Sequence, residues 1–212
     1  KETKKKLQTK MYEEASESLK ASLEEISKLE KEKELKEFAH KVFDWNKTTN
    51  LVSKNSSLKN IYHHIIDSAY LYPLIQNNSY IDVGSGAGFP GLVISILGNE
   101  AGYLLEPSNK KASFLRHCLA YFGIRKTEVL QKRLEDLDHI KEDVLISRAF
   151  AEPKKIQTLT RNKMSGDQKI LLMVSDQQAA LEEKGDWTYI PSAASQALGK
   201  KTGFLEIYPT KK

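Results

Sequence analysis

Apolar residues recur at helical spacing through the first third of the chain. Leu19, Leu23 and Ile26 follow one another at steps of three or four residues, with Glu and Lys filling the positions between. Such steps place side chains on one face of a helix, so we predict helices in this part of the chain. A second set with the same spacing is Leu35, Phe38 and Val42.

A polar stretch then interrupts the apolar pattern. Residues 46–60 are rich in Asn, Ser and Thr, which indicates mostly loop. A further helix is predicted to begin near Ser57, whose hydroxyl suits an N-cap. The apolar stripe of that helix is Leu58, Ile61, Ile65 and Ala69.

From Ser79 onward, short apolar runs alternate with longer amphipathic segments. Short runs bounded by turn residues indicate strands, and the longer segments indicate helices. Strands that alternate with helices predict an α/β fold, with a mostly parallel sheet and helices on both faces. The predicted strands are 80–83, 102–105, 127–130, 143–147, 169–174, 187–190 and 204–208, and the predicted helices are 90–97, 109–122 and 153–163.

A glycine-rich turn joins the first predicted strand to the next helix. Gly84, Gly86 and Gly88 directly follow Asp82 and Val83. Glycine accepts positive φ angles and lets a ligand approach the backbone closely. Ligands of such sheets lie at the carboxyl ends of the strands. The turn is therefore a candidate cofactor site, and a purely structural tight turn is the alternative.

Residues around the turn favour a nucleoside over a dinucleotide. Glu106 ends the second strand, where a carboxylate can accept hydrogen bonds from both ribose hydroxyls, as it does in NAD enzymes. A dinucleotide also needs its pyrophosphate at the helix N-terminus. Phe89 and Pro90, a bulky residue and one without an N–H, stand there instead. We therefore favour S-adenosylmethionine over NAD.

Two later strand ends add candidate contacts. After the third strand, Leu134 is placed to lie against an adenine ring. Glu135 or the neighbouring backbone is placed to contact the amino group of that ring. An ordinary charged helix start is the alternative for Glu135. After the fourth strand, Arg148 is a candidate to bind the methionine carboxylate or to position the acceptor base. A surface salt bridge is the alternative for Arg148.

Together these segments resemble one family, the bacterial 16S rRNA guanine-N7 methyltransferases, also called glucose-inhibited division protein B. The resemblance runs from about Phe43 to Val174, and the loop 88–91 and the strand end 147–150 are its most distinctive parts. The motifs that carry it are Trp45-Asn46-Lys47 with Asn50-Leu51, His64-Ile65-Ile66-Asp67-Ser68, the stretch from Asp82 to Gly91, Leu104-Leu105-Glu106, Lys110-Lys111 with Phe114-Leu115, Arg133-Leu134-Glu135 and Ser147-Arg148-Ala149-Phe150.

The resemblance implies a Rossmann-like, S-adenosylmethionine-dependent enzyme that methylates N7 of a guanosine in 16S rRNA. We predict a methyltransferase domain at 77–212 after a helical extension at 1–76. Arg148 is the expected catalytic residue, and the expected partner is 16S rRNA or the 30S subunit. The expected cofactor-binding residues are Gly84, Gly86, Gly88, Phe89, Glu106, Leu134, Glu135 and Arg148.

This chain departs from the family pattern at three places. His63 stands where the family usually has Arg, and Pro107 replaces a usual Ser. The fifth strand ends in Val174-Ser175 rather than a lysine–glycine pair. These positions lie on the RNA or cofactor side, so they bear on substrate identity more than on the fold.

The sequence offers no evident catalytic base. Cys118 lies among apolar residues of a predicted helix, which favours packing, and the adjacent His63 and His64 make a poor metal pair. We expect no metal site. Guanine N7 carries a lone pair and no proton, so holding it in line with an activated methyl group supplies much of the rate.

Composition and charge agree mildly with an RNA partner. The net charge is +5. We expect no membrane segment, a cytoplasmic location because there is a single cysteine, and a monomer.

Lys110 and Lys111 are candidate RNA contacts, with stacking from Tyr62, Phe89 or Trp45, although Trp45 and Tyr62 also suit a core. Clustered basic residues at the ends, read either as RNA contacts or as solvated tails, are Lys1, Lys4, Lys5, Lys6, Lys10, Lys200, Lys201, Lys211 and Lys212.

Two rival functions stay open at this level. A small-molecule methyltransferase on the same fold would bind the cofactor without labelling RNA. A non-catalytic RNA-binding or ribosome-assembly protein on a degenerate methyltransferase scaffold would bind small subunits without transferring a methyl group.

Overall fold

A seven-stranded sheet with strand order β3-β2-β1-β4-β5-β7-β6 organises the chain. The computed structural model describes residues 22, 24–148, 151–175, 187–194 and 202–209. The strands are β1 Tyr80–Val83, β2 Gly102–Leu105, β3 Thr127–Leu130, β4 Val144–Arg148, β5 Lys169–Ser175, β6 Thr188–Pro191 and β7 Thr202–Ile207. The helices are α1 Glu32–Thr49, α2 Leu58–Ala69, α3 Gly91–Leu97, α4 Asn109–Tyr121 and α5 Pro153–Thr160, with 3-10 turns at Tyr72–Leu74 and Leu134–Asp136.

The strand directions confirm the predicted, mostly parallel sheet. β1 pairs in parallel with β2 and β4, and β3 and β5 extend these pairs in parallel on either side. β7 is antiparallel to both β5 and β6. Since the chain runs outward from β1 through β2 to β3 and then returns to β4, the β1–β4 junction is the topological switch point. Sheets of this kind bind ligands in the crevice outside the carboxyl ends of the strands at that point.

Side chains of the central strands alternate between two apolar cores. Tyr80 and Val144 belong to a core that also contains Phe38 of α1 and Phe114 of α4. Their strand neighbours Ile81 and Leu145 belong to a second core that contains Ile156 of α5. Successive residues of a strand point to opposite faces, so helices cover both faces as predicted.

Helix α2 begins where the sequence places its N-cap. The Ser57 side chain accepts from the Asn60 backbone N–H, and the Asn60 side chain accepts from the Ser57 N–H. Two orphan donors at the helix start are thereby satisfied. The predicted stripe residues Ile61, Ile65 and Ala69 are buried in the first core.

The predicted loop at 46–60 begins four residues too early. Asn46 to Thr49 form the last turn of α1, and Asn50 closes it in the left-handed conformation at φ 53°. The buried Asn46 side chain accepts from the Val52 N–H at 3.0 Å and donates to the Ser53 carbonyl at 3.2 Å. These local side-chain hydrogen bonds stabilise the last turn of α1 against the weak helix propensity of asparagine.

Some predictions fall on residues that are not described. These are the helical positions Leu19 and Leu23, the motif residues Ala149 and Phe150, and the basic residues at both ends. Among the described helices, none is both long and apolar enough to cross a bilayer.

Candidate functional site

The glycine turn after β1 has the backbone conformation that only glycine adopts readily. Gly84, Gly86 and Gly88 have φ angles of 76°, 54° and 94°. These values confirm the predicted need for glycine, because other residues are strained there. Gly91 serves close packing instead: a Cβ there would lie 2.5 Å from Leu104 Cδ2 and 2.6 Å from Asp82 Cβ.

Glu106 holds the glycine turn in place. Its Oε2 accepts from the Gly86 N–H at 3.0 Å, and its Oε1 accepts from the Ser108 N–H at 2.8 Å. The side chain is buried, and each carboxylate oxygen keeps a further lone pair that can accept from a hydroxyl group. The sequence placed an acid at this strand end but did not indicate that it also anchors the turn.

Asp82 is a buried carboxylate beneath the same turn. Its Oδ2 accepts from the Gly91 N–H at 2.9 Å. Among the described residues, none donates a hydrogen bond to its Oδ1. Burial raises the pKa of Asp82 to about 7, against the opposing effect of the Gly91 hydrogen bond. Asp82 therefore carries a proton over part of the physiological pH range.

A cavity at the ends of β1 to β3, which we call the β1–β3 cavity, brings three of the predicted site residues together. It has a volume of about 210 Å³. Leu134, almost wholly buried, supplies an apolar wall beside Gly84, while Glu135 is exposed at the rim. The lining residues are Val83, Gly84, Leu105, Pro107, Lys132, Arg133, Leu134, Glu135, Ala151 and Lys155.

Arg148 lies at the carboxyl end of β4, in contact with two aromatic rings. Its Nη1 is 2.5 Å from His64 Nδ1, and its Cζ lies 5.1 Å from the centroid of the Phe89 ring. Arginine can only donate, so His64 Nδ1 accepts, and a neutral His64 carries its proton on Nε2. Burial lowers the pKa of Arg148, and the nearby carboxylates of Asp67 and Asp82 oppose this effect. The guanidinium stays charged.

A second cavity lies at the ends of β4, β5 and β7, beside α2. We call it the β4–β7 cavity, and its volume is about 320 Å³. His64 and Asp67 are three residues apart on α2 and so share the helix face that lines it. Arg148 supplies the single lysine or arginine among the described lining residues. These are His64, Asp67, Arg148, Met173, Val174, Ser175, Ser192, Thr202, Gly203 and Phe204.

Both cavities open at the carboxyl edge of the sheet, on either side of the switch point. The structure thus gathers Gly84, Leu134 and Glu135 on one side and Arg148 on the other, with Phe89 against Arg148. Sequence reasoning missed Asp67 and Phe204 as lining residues. Asp67 could have been found as the residue three after His64 on one helix face, whereas Phe204 is distant in sequence and gives no local signal.

The prediction that Tyr62 or Phe89 stacks on RNA from the surface is wrong. Each is only 3% exposed. Phe89 packs against Phe38 at 5.5 Å between ring centroids, which places it in the core. Trp45 packs on Phe114 at 5.3 Å between centroids, in line with the alternative that it belongs to the core. These rings pack in or against the core because burying an aromatic side chain removes a large apolar area from water.

Two further sequence predictions concern Cys118 and Lys110. Cys118 is completely buried, and burial raises the pKa of its thiol to about 12, so its role in packing is confirmed. Lys110 is exposed at the start of α4, and its role as an RNA contact stays a prediction.

Comparison with known proteins decides the family. Residues 31–203 match the model of the family described as rRNA small subunit methyltransferase G. The chain belongs to this family. It is therefore a methyltransferase, and its cofactor is S-adenosylmethionine.

Curated relatives agree with this assignment, and a solved structure agrees with the fold. A ribosomal RNA small subunit methyltransferase G from Ruthia magnifica is 34% identical over 158 residues, which cover 74% of this chain and 75% of that protein. One from Neisseria gonorrhoeae is 38% identical over 110 residues, covering 51% of this chain and 53% of that protein. In fold, the chain is similar to a mutant of MtNAS in complex with S-adenosylmethionine: the TM-score is 0.51 at 16% identity, covering 84% of this chain and 73% of the other.

Proposed function

We propose that this enzyme methylates N7 of a guanosine in 16S rRNA, and that it acts on the small ribosomal subunit in the cytoplasm as a monomer. The observation that carries the proposal is the family match over residues 31–203. The relatives from Ruthia magnifica and Neisseria gonorrhoeae are both named as small-subunit rRNA methyltransferases. The rival of a non-catalytic scaffold is disfavoured, because the chain belongs to an enzyme family.

Residues at the carboxyl edge of the sheet fit S-adenosylmethionine. The turn at Gly84 and Gly86 presents backbone without side chains, and Leu134 offers an apolar wall for an adenine ring. Glu106 keeps lone pairs for ribose hydroxyls. We assign to cofactor binding Gly84, Gly86, Gly88, Phe89, Glu106, Leu134, Glu135 and Arg148.

The protein contributes orientation and charge rather than proton transfer. S-adenosylmethionine supplies an already activated methyl group on a sulfonium centre. Arg148, fixed by His64 and Phe89, is rigid enough to bind a carboxylate or the acceptor base, and we assign it the catalytic role. Since N7 has no proton to lose, positioning can supply much of the rate without a catalytic base.

The cofactor half of the proposal is tested by calorimetry. S-adenosylmethionine and S-adenosylhomocysteine should each bind the wild-type protein, and Arg148→Ala should bind or transfer far less well than Arg148→Lys. Absence of heat from both ligands would contradict the assigned cofactor site.

The acceptor half is tested by tritiated-methyl transfer. Small subunits from cells that lack the modification should be labelled, and chain cleavage at 7-methylguanosine should map the label to one guanosine. A small-molecule methyltransferase would leave the RNA unlabelled, and its affinity for RNA would lack a steep dependence on salt. Light scattering at assay concentration tests the expected monomer.

A further inference from the structure

The β4–β7 cavity has the size and chemistry of a pocket for one purine base. Its volume of about 320 Å³ exceeds that of a single base, and it opens at the same edge of the sheet as the glycine turn. Met173 of β5 and Phe204 of β7 are direct cross-strand partners, so their side chains form one apolar wall. A planar base can pack its face against such a wall.

Polar groups that bear on base recognition come from α2, β4 and β7. Asp67 contributes a carboxylate, and the Thr202 hydroxyl lies 3.4 Å from Asp67 Oδ1. A carboxylate has about four acceptor sites on its two oxygens, so it can accept from a base while it accepts from Thr202. The Arg148 guanidinium lies close enough for the Asp67 charge to raise its pKa.

Guanine is the base whose edge matches a carboxylate. Its Watson–Crick edge carries two adjacent donors, N1–H and the N2 amino group, which two carboxylate oxygens can accept together. Adenine presents an acceptor at N1, which a carboxylate repels. N7 lies on the other edge of guanine, so a base held by its Watson–Crick edge keeps N7 exposed for reaction.

We infer that Asp67 binds the N1–H and N2 amino group of the acceptor guanine in the β4–β7 cavity and thereby selects guanine as the substrate base. The inference rests on the proposed rRNA methylation and names the residue that gives it base specificity. The contact also helps the chemistry. The N7 lone pair forms the new N–C bond as the S–CH₃ bond breaks, with its electron pair staying on sulfur, and no proton leaves the base. The positive charge moves onto guanine, where the Asp67 carboxylate stabilises it.

The test compares two substrates and four proteins. Small subunits are reconstituted with either guanosine or inosine at the methylated position, since inosine lacks the N2 amino group. The proteins are wild type, Asp67→Asn, Asp67→Ala and the matched control Asp44→Asn, which alters an exposed acid on α1. Methyl transfer gives kcat/KM, and calorimetry gives the affinity for S-adenosylhomocysteine.

Wild type should prefer guanosine to inosine by roughly tenfold or more, and Asp67→Asn should lose about 100-fold in kcat/KM on guanosine. Asp67→Asn should also lose most of the preference over inosine. Its affinity for S-adenosylhomocysteine should stay within about twofold of wild type, which shows that the variant is folded, and Asp44→Asn should resemble wild type in every measurement.

Each other outcome rejects a specific statement. An unchanged preference in Asp67→Asn overturns the assignment of Asp67. An equal loss of S-adenosylhomocysteine affinity in Asp67→Asn and Asp67→Ala overturns it as well, because the cavity would then hold the cofactor. Wild-type protein that binds S-adenosylhomocysteine but labels neither substrate rejects the proposed rRNA methylation itself.

Discussion

Arg148 Nη1 donates to His64 Nδ1 across 2.5 Å, and this contact joins the end of β4 to the face of α2 that lines the β4–β7 cavity. The two residues are 84 positions apart in sequence. Because the guanidinium is also held at 5.1 Å from the Phe89 ring, its orientation is set from two sides. The two contacts together therefore position the residue with the catalytic assignment.

Removing the His64 acceptor should release Arg148 and slow methyl transfer. We expect His64→Ala to lower kcat/KM about tenfold, because small misplacements of a positioning group are costly. His64→Gln should retain more activity, since its amide oxygen can still accept from the guanidinium. Transfer assays on small subunits measure both. His40→Ala, at an exposed position of α1, is the control, and equal rates for His64→Ala and wild type would refute the positioning role.

Glu106→Gln should weaken cofactor binding and destabilise the fold together. An amide can accept only one of the two backbone hydrogen bonds that Glu106 now accepts from Gly86 and Ser108. We expect affinity for S-adenosylhomocysteine to fall roughly tenfold and the melting temperature to fall by roughly 5 °C. Calorimetry and thermal unfolding measure the two effects. Glu128→Gln alters an exposed acid of β3 and should change neither, and a Glu106→Gln protein with normal affinity would argue against the anchoring of the turn.

Alanine substitutions at Gly91 and Gly123 should lower the stability of the protein by very different amounts. At Gly91 a new Cβ would lie 2.5 Å from Leu104 Cδ2 and 2.6 Å from Asp82 Cβ, so we expect a loss of about 3 kcal/mol in the free energy of unfolding. At Gly123 nothing lies within 4 Å, and only the strain of φ +66° remains, which costs about 1 kcal/mol. Urea denaturation measures both. Equal losses would mean that packing at Gly91 is looser than the structure indicates.

The stability of the protein should fall as the pH rises from 5 to 8. The folded-state pKa of Asp82 is raised from 3.8 to about 7 by burial, so the native state binds a proton in a range where the unfolded chain has lost it. The free energy of unfolding then falls with rising pH between these two pKa values, by about 2 to 4 kcal/mol in total. Above the upper pKa it levels off.

Chemical denaturation across this pH range measures the effect in matched variants. Asp82→Asn should flatten the profile, because it removes the titrating group. Asp44→Asn should keep the wild-type slope, because the pKa of Asp44 is lowered by its hydrogen bond to Lys47 and the group stays ionised from pH 5 to 8. A slope that persists unchanged in Asp82→Asn would show that another group is responsible.

Local patterns predicted most of the parallel sheet and the glycine turn. Each central strand is a short apolar run, and burial on both faces demands such runs, so their bounds were predicted to within one or two residues. The turn was predictable because Gly84, Gly86 and Gly88 need positive φ angles that few other residues tolerate.

Contacts between distant segments were not predictable. The position of β7 between β5 and β6 depends on cross-strand pairs such as Met173 with Phe204. Such a pair cannot be inferred from the sequence of either strand alone. The contact between His64 and Arg148 is of the same kind. The burial of Phe89 was missed, and that of Tyr62 was only one of two alternatives, because an aromatic ring suits a core and an RNA surface equally well in sequence.

The position of β7 also determines when the enzyme can become active during synthesis. Thr202 and Phe204 belong to β7, which follows β5 in the chain, yet they line the β4–β7 cavity. A nascent chain that has emerged only as far as β5 has its glycine turn but an incomplete wall opposite Asp67. The growing polypeptide can therefore form the glycine turn before the β4–β7 cavity, so translation itself delays completion of that cavity until β7 has emerged.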